Sequence, residues 1–409
     1  MDDNLLLSPY TLPCGVTLPN RLVKSAMTER ISNRHLQAVD GHQRLYESWG
    51  RSGAGLLITG NVMIDRQHLE SAGNVCFDEA AHLPALEAWA AAGKSQGTAI
   101  WVQISHAGRQ TNVFNALHPK APSAVQLRRL GLFGKPRAMT AADIQSVIKG
   151  FTLAAATPQR CGFTGVQIHA AHGYLLSQFL SPRTNLRTDE WGGSLENRSR
   201  LLRSIVQSVR AAVGTAFPVS VKLNSSDFQR GGLTEAESLQ VVQMLDEAGI
   251  DLLEISGGTY ERVAFFLLNE EQPGVRESTR AREAYFLEFA HKVRSVSKLP
   301  LMITGGFRTR DFCQETLANG ELDFIGMARP FITNLDDIPG FLNGTVPVLD
   351  NRIIRSGIAL LEDAAEGGYY ARQVVRMSKG LPVQNKYNGL ASAMYLVGHE
   401  MLKGFRKKS

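Results

Sequence analysis

The chain has 409 residues, of which 44% are hydrophobic and 20% are charged, a balance typical of a folded globular protein. This composition excludes intrinsic disorder, a collagen-like chain and a small disulfide-rich scaffold, and no apolar run reaches the roughly 18 residues of a membrane span. The net charge is +6, but the basic residues are scattered, which favours a solvated surface over a nucleic-acid partner.

Two features concern the cellular compartment. The four cysteines are far apart and match no zinc or iron–sulfur spacing, so we expect free thiols: Cys14, Cys76, Cys161 and Cys313. Residues 1–4 are acidic and polar where a signal peptide needs a basic region and an apolar run. The expectation is a cytoplasmic protein without a membrane partner.

Short apolar runs alternate with longer amphipathic ones from about residue 20 to 330. Eight runs predict strands: 22–27, 55–61, 99–105, 165–169, 218–224, 251–256, 300–304 and 323–326. Several are apolar almost throughout, which suits parallel strands covered on both faces. The pattern predicts an α/β fold, a closed (β/α)8 TIM barrel occupying residues 1–340.

The helices between these strands carry start and stop signals. Residues 140–143 and 234–237 resemble capping boxes, in which a threonine hydroxyl and an acidic side chain bond each other's backbone amides. Gly162, Gly249 and Gly320 each precede a predicted strand, where a left-handed glycine ends a helix.

Two segments lie outside the barrel strands. Residues 8–20 predict an N-terminal hairpin over the barrel floor. Residues 341–409 predict a C-terminal helical extension with helices at 353–365, 369–379 and 390–405. We expect this extension to pack on the barrel or to form an oligomer contact, which would make the protein a homo-oligomer.

The chemistry of a TIM barrel lies at the C-terminal ends of its strands. Gly305 and Gly306 follow the seventh strand and allow backbone amides to approach an anion. Arg329 follows the eighth strand and can bond a phosphate through its planar guanidinium. Glycines also serve tight turns, but the position after strands seven and eight favours a phosphate site.

His169, His172 and Tyr174 place three hydrogen-bond donors within six residues at the end of the fourth strand. Neutral imidazoles can hold a carbonyl, phenolate or nitro oxygen, and a tyrosine can act as a general acid. The alternatives are structural residues or a zinc site, although no third ligand occurs at a known motif spacing.

Thr28, Gln103 and Lys222 complete a polar ring at the strand ends. Lys222 lies within a strand, where a buried charge requires a partner. It could be half of an internal ion pair or a Schiff-base lysine. Thr28 could equally cap a strand, and Gln103 could be a hydrogen-bonding core residue.

Residues 8–335 resemble the Old Yellow Enzyme family of FMN-dependent ene-reductases (NADH:flavin oxidoreductases). The most specific stretch is residues 168–182, Ile-His-Ala-Ala-His-Gly-Tyr-Leu-Leu-Ser-Gln-Phe-Leu-Ser-Pro, followed by the related pattern over 184–198. Residues 18–21, Leu-Pro-Asn-Arg, and 304–307, Thr-Gly-Gly-Phe, support it.

The resemblance implies a tightly bound, non-covalent FMN across the barrel mouth. Ala26 and Met27 would contact the flavin ring through their backbones, and the Thr28 hydroxyl would contact O4. Gly60 would lie close to the ring, and Gln103 would bond its pyrimidine edge.

The same resemblance implies the remaining cofactor contacts. Lys222 would place positive charge near N1 and O2 of the flavin. Gly305, Gly306, Ala328 and Arg329 would hold the phosphate, with Ala328 standing where many members have glycine.

The resemblance also implies the reaction. His169 and His172 would hold the oxygen of a small-molecule α,β-unsaturated carbonyl or nitro substrate. Reduced FMN would deliver a hydride to the β-carbon, Tyr174 would supply the proton, and NAD(P)H would reduce FMN in a ping-pong cycle. The alternatives are an oxidative flavoenzyme, such as an amine demethylase or dehydrogenase, and a flavin-free lyase or aldolase using Lys222.

One segment departs from the family pattern. Residues 28–39, which follow the first strand, match it poorly, and we expect them to overhang the flavin. The absence of a cysteine cluster excludes the larger relatives that carry an iron–sulfur centre.

Overall fold

The structure, a computed structural model, describes residues 4–128, 131–256, 286–350, 352, 354–358 and 361–406. Its strands in chain order are β1 (Tyr10–Thr11), β2 (Thr17–Leu18), β3 (Leu22–Lys24), β4 (Leu56–Ile58), β5 (Val62–Met63), β6 (Ala99–Ser105), β7 (Lys120–Ala121), β8 (Arg137–Ala138), β9 (Gly165–Ala170), β10 (Val219–Asn224), β11 (Leu252–Ser256), β12 (Leu301–Thr304) and β13 (Phe324–Met327).

Eight of these described strands close into a parallel barrel. The hydrogen-bonded order is β4-β3-β13-β12-β11-β10-β9-β6, and β6 pairs back with β4. Each of the eight predicted strands overlaps one barrel strand, and the prediction of a closed (β/α)8 TIM barrel is confirmed.

Helices surround the barrel. In chain order they are α1 (Asp40–Gly50), α2 (Leu83–Lys94), α3 (Ala141–Arg160), α4 (Leu175–Leu180), α5 (Leu195–Val213), α6 (Glu235–Glu247), α7 (286–294), α8 (Arg310–Ala318), α9 (Pro330–Thr333), α10 (Ile338–Asn343), α11 (Glu362–Met377) and α12 (Gly389–Arg406). Across the described residues, no helix combines the length and apolar character needed to cross a membrane.

The helix start signals act as the sequence predicts. The Thr140 side chain accepts a hydrogen bond from the Asp143 backbone at 3.2 Å, and the Thr140 backbone donates to the Asp143 carboxylate at 2.9 Å. Thr234 and Glu237 form the same box at the start of α6. These caps satisfy amides that the first helical turn leaves unpaired, which fixes where α3 and α6 begin.

An apolar cluster closes the barrel floor beneath a short hairpin. Strands β1 and β2 pair antiparallel, and the Tyr10 ring meets the edge of Phe324 with centroids 5.0 Å apart. Leu12 and Leu18 lie in the same buried cluster as Trp101. The predicted hairpin over the floor is confirmed, and it leaves the opposite end of the barrel for polar residues.

The C-terminal extension corrects one prediction. A single helix, α11, runs through Gly367 and Gly368, where the sequence predicted a break between helices at 353–365 and 369–379. A Cβ on Gly368 would lie 1.9 Å from the Ser392 carbonyl oxygen in α12. The glycine therefore permits close packing of the two helices instead of ending the first one. Residues 354–358 are not helical.

Candidate active site at the barrel mouth

A chain of buried polar side chains crosses the barrel interior. Gln103 donates to Gln167 at 2.7 Å, and Gln167 donates to the Glu254 carboxylate at 2.8 Å. Glu254 also accepts from Thr304 at 2.6 Å and pairs with the Lys222 ammonium at 2.7 Å. The network joins β6, β9, β10, β11 and β12, so it fixes the orientation of polar groups just below the mouth.

Lys222 is thus half of an internal ion pair, one of the alternatives that the sequence left open. Strand register places it beside Glu254 on one side and His169 on the other. An ammonium has three donors, so it can serve Glu254 and a second acceptor in the barrel mouth. Glu254 was not predicted from the sequence, although a carboxylate within an otherwise apolar strand is a visible signal.

His169, His172 and Tyr174 come together as a compact aromatic group. The His169 ring lies 5.1 Å from the His172 ring and 4.9 Å from the Tyr174 ring, centroid to centroid. His169 Nδ1 accepts a hydrogen bond from the Ala171 backbone at 3.2 Å, which leaves the proton of the neutral ring on Nε2. His172 Nε2 lies 2.6 Å from the Ser256 hydroxyl.

Burial keeps both imidazoles neutral. It lowers the pKa of His169 well below the ordinary value, helped by His172 and Lys222. Burial and the Lys222 charge lower the pKa of His172 to about 3. Near neutral pH, each ring therefore carries one N–H donor and no charge. Such a ring can donate a hydrogen bond to a substrate oxygen without transferring its proton.

Glu70 organises the residues that follow β3. Its carboxylate accepts from the Thr28 hydroxyl at 2.7 Å and from the Asn61 amide at 3.1 Å. The Arg30 guanidinium lies 3.8 Å from the same carboxylate. The hydroxyl hydrogen of Thr28 is thus directed to Glu70, and its lone pairs remain the groups by which Thr28 can meet a ligand. Glu70 was not among the site residues predicted from the sequence.

Glu29 holds the turn after β4 against the turn after β3. Its carboxylate accepts from the Gly60 backbone at 2.8 Å and from the Tyr46 hydroxyl at 2.5 Å. A Cβ on Gly60 would lie 2.4 Å from the Met27 carbonyl oxygen, so only glycine allows this approach. Burial lowers the pKa of the neighbouring Lys24 to about 7 despite the Glu29 charge. Gly60 and Met27, both predicted cofactor contacts, are thus adjacent. Ala26, two residues beyond β3, is half-buried.

The predicted phosphate residues lie at the ends of β12 and β13. Gly305 and Gly306 have φ values of 116° and 89°, a region that favours glycine, and no atom lies within 4 Å of a Cβ built on Gly305. Helix α8 begins at Arg310, three residues later than the immediate start that the sequence predicted. Its N-terminal amides are therefore separate from the glycine pair.

Arg329 precedes α9, as predicted, and Ala328 stands beside it. The Arg329 guanidinium donates to the Glu366 carboxylate of α11. An acidic residue of the C-terminal extension thus reaches the predicted phosphate position, a contact that local sequence patterns do not reveal.

A second histidine cluster lies away from this group. Among the described residues, Asp65, His68 and His106 are close enough to share a metal ion. However, His68 Nδ1 lies 2.7 Å from Asp65, and its Nε2 accepts from the Lys120 backbone at 2.9 Å. Because both ring nitrogens of His68 are engaged, we interpret the cluster as hydrogen-bonded structural residues and not as a metal site.

Comparison with known proteins decides the family. Residues 6–338 match the model of the NADH:flavin oxidoreductase / NADH oxidase family. The chain belongs to this family. This chain is 37% identical over 346 residues to NADH-dependent flavin oxidoreductase iliE of Hypocrea jecorina (strain QM6a). The match covers 80% of this chain and 86% of the relative.

Other relatives agree. This chain is 38% identical over 349 residues to NADH-dependent flavin oxidoreductase iliE of Neonectria sp. (strain DH2). The match covers 80% of this chain but 45% of that protein. It is 31% identical over 333 residues to an NADPH dehydrogenase of Geobacillus sp. (strain WCH70), covering 81% of this chain and 92% of the relative.

Solved structures share the fold. An old yellow enzyme homologue from Zymomonas mobilis superposes with a TM-score of 0.72 at 27% identity, covering 85% of this chain and 95% of that one. A 2-naphthoyl-CoA reductase in complex with 2-naphthoyl-CoA gives a TM-score of 0.76 at 27% identity, covering 85% of this chain and 53% of that one. The resemblance to the Old Yellow Enzyme family is confirmed.

This flavin oxidoreductase is an enzyme that uses FMN, with NAD(P)H as reductant. The residues at the mouth fit such a cofactor. The buried Lys222 ammonium suits an electron-rich ring edge, and the open, left-handed Gly305–Gly306 turn and Arg329 suit a phosphate.

Proposed function

We propose that this enzyme reduces activated carbon–carbon double bonds of α,β-unsaturated carbonyl or nitro compounds. The observation that carries the proposal is the group of His169, His172 and Tyr174, with two neutral imidazoles beside one phenol. Two N–H donors and one O–H donor can polarise an alkene through its oxygen and protonate the carbon that gains charge.

The imidazoles bind the electron-withdrawing oxygen of the substrate. His169 offers Nε2–H, since its Nδ1 accepts a backbone hydrogen bond. The ring of His172 is oriented by Ser256 and by the Asn224 side chain, which accepts from the His172 backbone at 3.1 Å. As charge moves onto the substrate oxygen, both hydrogen bonds strengthen, which stabilises the enolate-like transition state.

Tyr174 supplies the proton to the α-carbon. It is buried against His169 and lies in an apolar cluster with Leu36 and Met63. An apolar setting excludes water from the proton transfer, and the fixed ring determines which face of the substrate is protonated. Reduced FMN, when bound, supplies the hydride that the β-carbon accepts.

The residues that would hold FMN divide between the ring and the phosphate. The ring contacts are Ala26, Met27, Thr28, Gly60, Gln103 and Lys222, and the phosphate contacts are Gly305, Gly306, Ala328 and Arg329. The cofactor is held tightly without a covalent bond, and NAD(P)H and substrate use the same face in turn, which gives ping-pong kinetics.

Lys222 weighs against the flavin-free alternative. A Schiff-base lysine must have its amine free to attack a carbonyl carbon, whereas Lys222 Nζ lies 2.7 Å from the Glu254 carboxylate and is engaged by it. An oxidative reaction on the same scaffold remains the second candidate, because the polar group would also bind an oxygen-bearing substrate that reduces the flavin.

The test is an anaerobic absorption titration of the purified protein. NADPH or NADH should bleach the visible absorption band of the bound flavin, and 2-cyclohexenone should then restore it. A bleached protein that the enone fails to reoxidise would contradict alkene reduction. A colourless protein that takes up no FMN would contradict the whole site assignment.

A further inference from the structure

Helix α12 lies beyond residues 6–338, the part that matches the family, yet one face of it contacts the loop that follows β3. Three side chains on that face reach the loop: His399, Glu400 and Lys403. This loop includes residues 28–39, the segment that departs from the family pattern. Residues 28–39 and helix α12, the two segments that lie outside the family pattern, are therefore in contact with each other.

Glu400 is the centre of the contact. Its carboxylate pairs with the Arg30 guanidinium at 2.6 Å and accepts from the Ser71 hydroxyl at 2.5 Å. It also accepts from the Ala72 backbone at 2.9 Å. One carboxylate from the extension thus joins two loops of the barrel mouth, one after β3 and one after β5.

The backbone of Arg30 is held by the same helix. Arg30 has a φ of 60°, a left-handed conformation that residues with a Cβ adopt at a cost. Its carbonyl oxygen accepts from Lys403 at 2.8 Å and lies 3.1 Å from His399 Nε2. Gly73 packs directly against it, since a Cβ there would lie 2.3 Å from the Arg30 carbonyl oxygen. An unfavourable conformation with this many partners is imposed by its surroundings.

The contact continues into the candidate site. Arg30 also faces Glu70 at 3.8 Å, and Glu70 accepts from the Thr28 hydroxyl at 2.7 Å. The chain of charges and hydrogen bonds runs from Glu400 through Arg30 and Glu70 to Thr28. The side chains of Glu400, Arg30 and Glu70 are each at least four-fifths buried, so their charges are little screened by solvent.

We propose that Glu400 is a positioning residue of the flavin site, acting through Arg30 and Glu70 on Thr28. The assignment rests on the proposed function in one respect, namely that Thr28 contacts FMN. Without the Glu400 carboxylate, the Arg30 charge would turn fully to Glu70, and Glu70 would hold Thr28 less firmly in the orientation that meets the flavin. The C-terminal extension is on this basis a functional part of the barrel mouth.

The test compares Glu400→Gln with the wild-type enzyme and with Glu79→Gln, which removes the same charge from an exposed position. Hydrogen exchange of residues 26–36 reports the loop. The FMN dissociation constant and the flavin midpoint potential report the site. Lys403→Met, which removes a donor to the Arg30 and Ser32 carbonyl oxygens, provides a second variant that keeps the Glu400 carboxylate.

We expect Glu400→Gln to speed exchange in residues 26–36 by about tenfold, because it weakens hydrogen bonds to a charged group. FMN should dissociate about fivefold more readily, the lower end of typical coupling between sites, and the potential should shift. Lys403→Met should change both properties in the same direction, and Glu79→Gln should change neither.

Two results would overturn the assignment: wild-type exchange in Glu400→Gln, or faster exchange with wild-type FMN affinity and potential. If Glu400→Gln fails to fold, Glu400→Asp, which keeps the charge but shortens the reach to Arg30 and Ser71, decides between the same outcomes. A wild-type protein that binds no FMN would instead overturn the proposed function, while exchange in the unloaded protein would still report whether Glu400 holds the loop.

Discussion

His172 combines a strained backbone with a proposed role in substrate binding. Its φ of 59° is rare for a residue with a side chain. Asn224 accepts from its backbone N–H at 3.1 Å, and Gln110 donates to its carbonyl oxygen at 3.0 Å. These partners are 52 and 62 residues away in sequence. Local spacing could predict that the two histidines and the tyrosine meet, but not which distant side chains orient them.

Replacement of Tyr174 by phenylalanine separates the two half-reactions. The variant keeps the ring that packs on His169 but loses the proton donor, so reoxidation by an enone should slow by about 10²- to 10⁴-fold. Reduction of the enzyme by NAD(P)H should stay near the wild-type rate and serves as the internal control. Stopped-flow absorbance measures both rates, and an equal loss in both half-reactions would remove Tyr174 as the proton donor.

Loss of one charge of the Lys222–Glu254 pair should lower the free energy of unfolding more than loss of both charges. Lys222→Met leaves a fully buried carboxylate without its cation, which typically costs about 3–5 kcal/mol. Lys222→Met combined with Glu254→Gln removes both charges and should recover most of that loss. Urea unfolding of the three proteins measures the difference. A double variant as unstable as the single one would contradict a charge-pair origin.

At the scale of elements, the sequence predicted the parts that repeat. Most residues of the barrel strands are apolar because helices cover the strands from outside, and two capping boxes mark the starts of α3 and α6. Glycines were harder to interpret, because the same residue ends a helix at Gly249, with a φ of 74°, and allows close helix packing at Gly368. Only the neighbouring helix, absent from any local window, distinguishes the two uses.

Helix α11 should weaken phosphate binding through Glu366. The carboxylate pairs with Arg329, the guanidinium proposed to hold the FMN phosphate, and both side chains are about one-quarter exposed. Removing one negative charge from a partly solvated site is worth about 1 kcal/mol, so Glu366→Gln should bind FMN about fivefold more tightly.

Fluorescence titration of the unloaded protein with FMN measures the effect of Glu366. Glu235→Gln is the matched control, since Glu235 pairs with Lys292 on the outside of the barrel at 2.9 Å. Weaker FMN binding in Glu366→Gln would mean that the carboxylate orients Arg329 instead of competing with the phosphate.

For the whole molecule, the sequence predicted the barrel and placed candidate residues at its mouth, but it predicted few of the residues that bond them. Glu29, Glu70, Glu254 and Glu366 all bond predicted site residues, and none belongs to a local motif. Periodicity reports which face of an element is buried, whereas pairing across a closed barrel depends on register between strands that are distant in sequence. Carboxylates that neutralise and orient a site are therefore the part that requires the structure.

Several buried histidines make the stability of the whole molecule sensitive to acid. Burial lowers the pKa of His42 and of His172 to about 3, and it holds the pKa of His169 and His106 well below the ordinary value near 6.5. Below pH 6.5 the unfolded chain takes up protons that the folded chain refuses. The free energy of unfolding must therefore fall as the pH falls toward the folded values.

We expect the urea midpoint to drop between pH 7 and pH 5, a window above the ordinary pKa of carboxylates. Each such histidine contributes up to about 1.4 kcal/mol per pH unit. His42→Asn should flatten this dependence, because its side-chain oxygen can replace Nδ1 as acceptor for the Val39 amide without titrating. His35→Gln, at an exposed position, is the control and should leave the slope unchanged. A midpoint that stays constant from pH 7 to pH 5 would show that the folded chain accepts these protons, and the imidazoles of the site would then be charged.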